Sequence, residues 1–172
     1  MQTITTPQLT LEPQTVAHAD AMFEVLSDPA IYPHLDDSPP VSVERLRERY
    51  ARLESRRSPD GNQTWLNWVI RPQDQPPVGF VQATIAPRGT ATIAYVLSSA
   101  HWGRGYASIA TRAMIEHLAT AQGVTRFIAT VETANQRSIR LLGQLGFRPA
   151  TAIEVAERRL SATERLFVLE RP

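Results

Sequence analysis

The sequence contains neither cysteine nor lysine. Without cysteine the chain cannot form a disulfide, a thiolate nucleophile or a cysteine-based metal site. All 18 basic residues are arginine, which excludes Schiff-base chemistry and the lysine of a phosphate-binding P-loop. Only four histidines are present, and none has the spacing of a zinc-binding motif. We therefore expect no metal cofactor.

Long apolar runs and an excess of one charge are also lacking. No stretch approaches the ~20 apolar residues that a membrane-spanning helix needs, and the N-terminal segment has no signal-peptide pattern. These absences predict a cytoplasmic protein without membrane contact. The net charge is +1 and only 7% of residues are aromatic, so a nucleic-acid partner is not expected.

The remaining composition is typical of a folded domain. The chain has 172 residues, of which 42% are hydrophobic and 20% charged, enough to bury one sizeable core. Because no repeat or low-complexity linker divides it, we expect a single domain over residues 1–172.

The order of apolar patterns predicts a mixed α/β (α+β) fold. Strands are predicted near Leu9–Leu11, Trp65–Ile70, Val78–Ile85, Thr90–Leu97, Arg126–Glu132, Ala150–Val155 and Arg165–Glu170. Helices are predicted over Ala17–Ser27, after a cap at Ser42, from Gly105 to Gly123, and after a cap at Asn135. Short connections between the middle strands favour an antiparallel meander. We expect one mixed, mostly antiparallel sheet of about six to seven strands with helices on both faces.

A glycine-containing loop, His101–Ser108, joins the meander to the longest helix. Gly103 and Gly105 leave consecutive backbone N–H groups free to face one anion, and the helix N-terminus adds partial positive charge. Arg104 can add a full charge, and Ala107 keeps the first helical turn accessible. The pattern therefore indicates either a phosphate site or an ordinary turn before a helix.

A second motif, NQRSIRLLGQLGF at residues 135–147, follows one strand later. Together with WGRGYAS at residues 102–108, it resembles the GCN5-related N-acetyltransferase (GNAT) superfamily, whose members use acetyl-CoA. The RimJ/RimL-like branch is the most similar, and the order of elements agrees over nearly the whole chain. The resemblance implies a GNAT-like fold and an acetyl-CoA-dependent N-acetyltransferase.

This resemblance also implies which residues hold acetyl-CoA. In the family the pantetheine arm lies between two parted strands, where Val96 and Leu97 would offer backbone groups. Asn135 matches an Asn that bonds the pantetheine region, and Arg137 and Arg140 could pair with the 3′-phosphate. The pyrophosphate would be held by the amides of Trp102, Gly103, Arg104, Gly105, Tyr106, Ala107 and Ser108.

Acetyl transfer needs a donor for the developing oxyanion and a partner for the departing thiolate. The backbone N–H near Leu97 is the candidate oxyanion donor. Many family members place a Tyr beside the sulfur where this chain has Leu142. Ser138, about one helical turn earlier, is our candidate catalytic partner of the sulfur.

The general base is the least constrained role. Relatives often carry a Glu that acts as the general base at the position of Thr92. The hydroxyl of Thr92 cannot accept the proton of the amine. Glu132, acting through water, is our first candidate. His34, Asp36 and Asp37, in the proline-rich segment between the first two helices, are the alternatives.

The leading hypothesis is an acetyl-CoA-dependent N-acetyltransferase that acts by direct attack in a ternary complex. Its acceptor would be a primary amine, either a protein N-terminus or a small molecule, and the protein would be a monomer or homodimer. The alternative is a non-catalytic acyl-CoA-binding sensor, which the departures at Thr92 and Leu142 favour. Asp36 and Asp37 would favour a cationic acceptor if they line the acceptor cleft.

Overall fold

A computed structural model describes residues 1–87 and 89–171. Its strands are β1 (Ile4–Thr5), β2 (Leu9–Pro13), β3 (Thr64–Pro72), β4 (Gly79–Ile85), β5 (Thr90–Leu97), β6 (Arg126–Glu132), β7 (Arg148–Pro149) and β8 (Glu164–Glu170). They form one eight-stranded sheet in the order β1-β2-β3-β4-β5-β6-β8-β7. The α-helices are α1 (Ala19–Leu26), α2 (Val43–Leu53), α3 (Tyr106–Gln122), α4 (Gln136–Gln144) and α5 (Ala152–Ala156).

Neighbouring strands of the sheet are antiparallel except β5 and β6, which run parallel because α3 connects them as a crossover. Only Thr90–Thr92 of β5 pair with Arg126–Ile128 of β6. Beyond these residues the two strands separate, although β5 continues to Leu97 and β6 to Glu132. The sheet therefore has a wedge-shaped gap between two of its central strands.

Helices cover both faces of the sheet, as predicted. On one face, Met114 of α3 and Leu142 of α4 share a buried cluster with Trp68. On the other, Leu46 of α2 is buried in a cluster with Val69. Trp68 and Val69 belong to different clusters because successive strand residues point to opposite faces. None of the helices in the described part of the chain is long and apolar enough to cross a membrane.

The helix caps follow the predicted chemistry. The Ser42 hydroxyl accepts a hydrogen bond from the Arg45 N–H at 3.3 Å and begins α2. The Asn135 side chain accepts one from the Ser138 N–H at 3.1 Å and begins α4. Each bond satisfies a backbone donor that the helix itself cannot pair.

The strand predicted at Ala150–Val155 is wrong, because helix α5 occupies most of this segment. Thr151 and Glu154 form a reciprocal capping box that starts the helix. Ile153 is 77% exposed, so its apolar side chain does not mark a buried strand. The sheet reaches eight strands instead of six or seven through the two-residue strands β1 and β7.

Candidate functional site

The gap between β5 and β6 opens into a cavity of about 450 Å³, which we call the gap cavity. Its walls come from β5, the glycine loop, α4 and the segment between α1 and α2. Of the residues predicted to bind the cofactor, the gap cavity is lined by Val96, Leu97, Trp102, Ala107, Asn135, Ser138 and Arg140. The fold therefore brings the two sequence motifs, which lie about 30 residues apart, to one cavity.

The glycine loop continues from the wall of this cavity, between Trp102 and Ala107. Gly103 has φ 77° and Gly105 has φ 80°, in the left-handed region that glycine occupies without strain. A Cβ added at either position would meet no atom within 4 Å. The glycines are thus required by the backbone conformation, and the space beside them stays open.

Backbone amides are the main feature of this loop. In the part of the chain that the structure describes, the N–H groups of residues 103–108 have no hydrogen-bond acceptor. They adjoin the N-terminus of α3, whose macrodipole adds partial positive charge. Unpaired N–H groups at a helix N-terminus are suited to bind an anion such as a phosphate.

The charge of the loop comes from Arg104. Burial, and secondarily the nearby Arg104, lowers the pKa of His101, which keeps this imidazole neutral at pH 7. The His101 ring stacks on Tyr106 with 6.4 Å between ring centroids. His101 therefore packs against the turn, and the exposed Arg104 is the cation available to a bound anion.

Trp102 connects the glycine loop to two walls of the gap cavity, β5 and α4. Its indole N–H donates to the Leu97 carbonyl at 3.0 Å. The Arg137 guanidinium lies over its ring at 3.9 Å from the centroid. The sequence did not reveal this contact, because 35 residues separate the partners along the chain.

The pairing of β5 with β4 determines which backbone groups face the gap. The Ser98 N–H donates to the Val78 carbonyl, on the side of β4. Because successive residues alternate direction in an antiparallel pair, Val96 also directs its backbone groups to β4. Tyr95 and Leu97 direct theirs to the gap. Val96 can therefore offer only its side chain to the gap, and not the backbone groups that were predicted. The backbone groups that face the gap belong to Tyr95 and Leu97.

Ser138 is held in the gap cavity by its neighbours. Its N–H donates to the Asn135 side chain, and its carbonyl accepts from the Tyr95 hydroxyl at 3.4 Å. Burial raises the pKa of Tyr95, so the phenol keeps its proton. Leu142 is fully buried in the core and offers no polar group to the cavity. Ser138 is thus a polar residue of α4 that lines the cavity.

The candidate bases lie in different places. His34 lines the gap cavity, whereas Glu132, at the end of β6, does not. The exposed Asp36 lies outside the cavity as well. The Asp37 carboxylate pairs with Arg49 at 3.1 Å and lines a separate cavity. The structure therefore brings one of the four candidates to the gap, and the role of Glu132 stays a prediction.

Comparison with known proteins agrees with this geometry. The family described as acetyltransferase (GNAT) domain matches residues 8–148, which is most of the chain. A curated relative, the uncharacterized N-acetyltransferase p20 of Bacillus licheniformis, is 29% identical over 150 residues. That match covers 86% of this chain and 83% of the relative.

Solved structures share the fold at low sequence identity. A RimL ribosomal L7/L12 alpha-N-protein acetyltransferase in complex with coenzyme A superposes with a TM-score of 0.81 at 20% identity, covering 99% of this chain and 98% of that one. An acetyltransferase of Salmonella typhimurium that modifies the N-terminal serine of ribosomal protein L7/L12 gives 0.79 at 20% identity, covering 99% and 100%. The fold is that of the RimJ/RimL-like branch, as expected. With the family match over residues 8–148, the chain belongs to the GNAT acetyltransferase family and is an acyltransferase.

Proposed function

We propose that this enzyme transfers the acetyl group of acetyl-CoA to a primary amine, and that residues 1–172 form one N-acetyltransferase domain. The observation that carries the proposal is the run of unpaired amides at residues 103–108, placed beside a cavity that both motifs line. The N–H groups supply several hydrogen-bond donors and Arg104 supplies a positive charge, and both are suited to a diphosphate.

The gap suits the remainder of the cofactor. Pantetheine is an extended chain with amide groups, which can pair with a strand edge as another strand would. Tyr95 and Leu97 direct backbone groups toward the space where β6 no longer pairs with β5. Asn135 uses its side-chain oxygen as a helix cap, which leaves its amide N–H groups for a ligand.

The acetyl-CoA thioester supplies an activated acetyl group. The residues of the chain must stabilise the charge that develops during transfer and accept the proton of the amine. The Leu97 N–H, directed into the gap, can donate to the negative charge that develops on the acyl oxygen. The Ser138 hydroxyl is our candidate donor to the departing sulfur. For the base, Glu132 acting through water is our first choice, and His34, which lines the cavity, is the second.

Relatives support an acceptor at a protein N-terminus. One similar structure contains coenzyme A, and a second belongs to an enzyme that modifies the N-terminal serine of a ribosomal protein. We therefore propose a polypeptide N-terminus as the acceptor, with a small amine as the alternative.

A non-catalytic acyl-CoA sensor is the alternative that the sequence leaves open, and the family match does not favour it. It is suggested by Thr92 and by the buried Leu142, which occupy positions where relatives often carry a catalytic Glu and Tyr. A sensor needs the cofactor cavity but no route for the proton of an amine.

One experiment separates the two functions. Calorimetry measures acetyl-CoA binding, and a thiol-release assay then follows free CoA over a panel of peptides and small amines. An enzyme releases CoA only with particular acceptors. Tight binding without acceptor-dependent release identifies the sensor, and failure to bind acetyl-CoA rejects both.

A further inference from the structure

A second cavity, of about 310 Å³, lies on the face of the sheet that α2 covers. We call it the Tyr50 cavity. Residues 37–41 form its rim, and side chains of α2, β3 and β4 form its walls. None of the residues predicted to bind acetyl-CoA lines it. It is therefore distinct from the gap cavity.

Amide side chains form a row across the floor of the Tyr50 cavity. Asn67 of β3 lies directly opposite Gln82 of β4. Gln14, just after β2, donates its backbone N–H to the Asn67 carbonyl at 2.9 Å. Residues opposite each other on neighbouring strands share a face of the sheet. All three amides line the cavity, so the row crosses β2, β3 and β4.

The row leads toward the gap cavity. Gln82 lies opposite Ala94 of β5. Val96, two residues farther along β5, faces the same side of the sheet and lines the gap cavity. From β2 to β5 the row crosses three strand spacings, about 14 Å, which is the length of about four extended residues.

Two donors in this cavity have no protein partner. The Tyr50 hydroxyl and the Gln14 side-chain nitrogen are buried and unpaired among the described residues. Tyr50 is 3% exposed and Gln14 is 8% exposed. Burial strongly raises the pKa of Tyr50, so its hydroxyl remains a donor at neutral pH. Buried donors without acceptors are costly and uncommon, which indicates that these two face a ligand's acceptor atoms.

Both carboxylates that line the cavity are paired with arginines, and Arg52 lines the cavity as a further cation. Asp37 pairs with Arg49 at 3.1 Å, and Glu48 pairs with Arg45 at 2.8 Å. Because both carboxylates have an arginine partner, neither is left to neutralise a polyamine. The cavity instead presents neutral donors and amides, which match the carbonyl and N–H groups of a peptide backbone.

We propose that the Tyr50 cavity binds the first residues of a polypeptide acceptor. Tyr50 and Gln14 donate to its peptide carbonyls, and Asn67 and Gln82 pair with its peptide groups. The amine end points along the row toward Val96 and the gap cavity. This inference rests on the proposed acetyl transfer, for which it supplies the acceptor site and favours short, uncharged N-terminal sequences over polyamines.

Direct binding tests the inference without turnover. The CoA-saturated protein is titrated in a calorimeter with the tetrapeptide amide Ser-Ala-Ala-Ala and, separately, with spermidine. We expect the peptide to bind and spermidine to bind at least tenfold more weakly. Tyr50→Phe removes the unpaired hydroxyl and Gln14→Met removes the side-chain amide that carries the unpaired nitrogen, and each should weaken peptide binding about tenfold. Neither should lower the melting temperature, since neither donor pairs within the protein.

Thr111→Val is the matched control. The Thr111 hydroxyl is also buried and unpaired among the described residues, but it lies on α3, on the opposite face of the sheet. We expect this variant to bind the peptide as the wild type does. Equal peptide binding by Tyr50→Phe and Gln14→Met, absent peptide binding by the wild type, or tighter binding of spermidine would overturn the proposal. Acetyl-CoA affinity, measured on CoA-free protein from the same preparations, shows separately whether the proposed function stands.

Discussion

The guanidinium of Arg137 lies 3.9 Å from the centroid of the Trp102 ring. Trp102 belongs to the glycine loop and Arg137 to the first turn of α4, so this contact joins the two motifs at the wall of the gap cavity. A cation–π contact of this kind contributes about 0.5–1 kcal/mol when exposed. It links the diphosphate loop to the helix that carries Ser138.

We predict that this contact supports cofactor binding. Trp102→Ala and Arg137→Ala should each weaken acetyl-CoA binding about two- to fivefold, the equivalent of about 0.5–1 kcal/mol. The losses in the double variant should be less than additive, because both substitutions remove the same cation–π contact, although Trp102→Ala also removes the hydrogen bond to the Leu97 carbonyl. Arg158→Ala, at an exposed arginine after α5, serves as the control. Fully additive losses in calorimetry would show that the two residues act independently.

Ser138→Ala should lower kcat about 10- to 100-fold while changing acetyl-CoA affinity little. A hydrogen bond to a charged group contributes about 1.5–3 kcal/mol, and here the charge is on the departing sulfur. Steady-state kinetics with a responsive acceptor, together with calorimetry, gives both quantities. The exposed Ser161→Ala should match the wild type in each. A kcat unchanged by Ser138→Ala, where chemistry limits the rate, would remove this residue from the mechanism.

Gly79 and Gly143 provide a matched pair of glycine-to-alanine variants. A Cβ at Gly79 would overlap the Val96 carbonyl oxygen, whereas at Gly143 it would meet nothing within 4 Å. Gly79→Ala should therefore cost about 1–3 kcal/mol in unfolding free energy. Gly143→Ala, in helix α4, should stabilise by about 0.5–1 kcal/mol. Urea unfolding measures both, and a neutral Gly79→Ala would contradict the β4–β5 register.

Glu154 should contribute to stability only above acidic pH. The hydrogen bond from Arg148, then the Thr151 N–H and Arg126, holds its pKa well below the usual value of 4.5. The folded state therefore favours the carboxylate. The stabilising contribution of Glu154 is complete above its pKa in the unfolded state. It disappears as the pH falls through its lower pKa in the folded state.

Glu154→Gln should therefore be less stable than the wild type at pH 7, and the difference should shrink as pH falls below about 4.5. Urea unfolding between pH 7 and pH 2 follows this change. The exposed Glu157→Gln is the control and should track the wild type throughout. A stability difference that stays constant down to pH 2 would show that Glu154 acts through packing alone.

Local chemistry made much of the fold predictable. The caps at Ser42 and Asn135 and the glycine loop depend on residues close in sequence, and the structure shows each cap as predicted. The strand prediction for residues 150–155 was wrong because the apolar residues of this segment are compatible with either a strand or a short helix. The capping box of Glu154, fixed by arginines from β6 and β7, decides in favour of the helix.

The candidate site was predictable in part. The motifs indicated the residues of the gap cavity. The alternation that directs the backbone groups of Tyr95, and not those of Val96, toward the gap depends on the pairing of β5 with β4. The Tyr50 cavity was beyond sequence reasoning for a similar reason. Gln14 and Asn67 meet only through strand register, and the absence of a partner for Tyr50 is visible only in three dimensions.

The most direct test of the account compares acetyl-CoA binding by Gly105→Glu and Gly61→Glu. Both glycines have positive φ, 80° and 71°, and open space at Cβ, so both variants carry the same strain and added charge. Only Gly105 belongs to the loop of unpaired amides. By calorimetry, we predict that Gly61→Glu binds acetyl-CoA as the wild type does and that Gly105→Glu shows no binding while remaining folded. Equal binding by the two variants would contradict a diphosphate held by this loop.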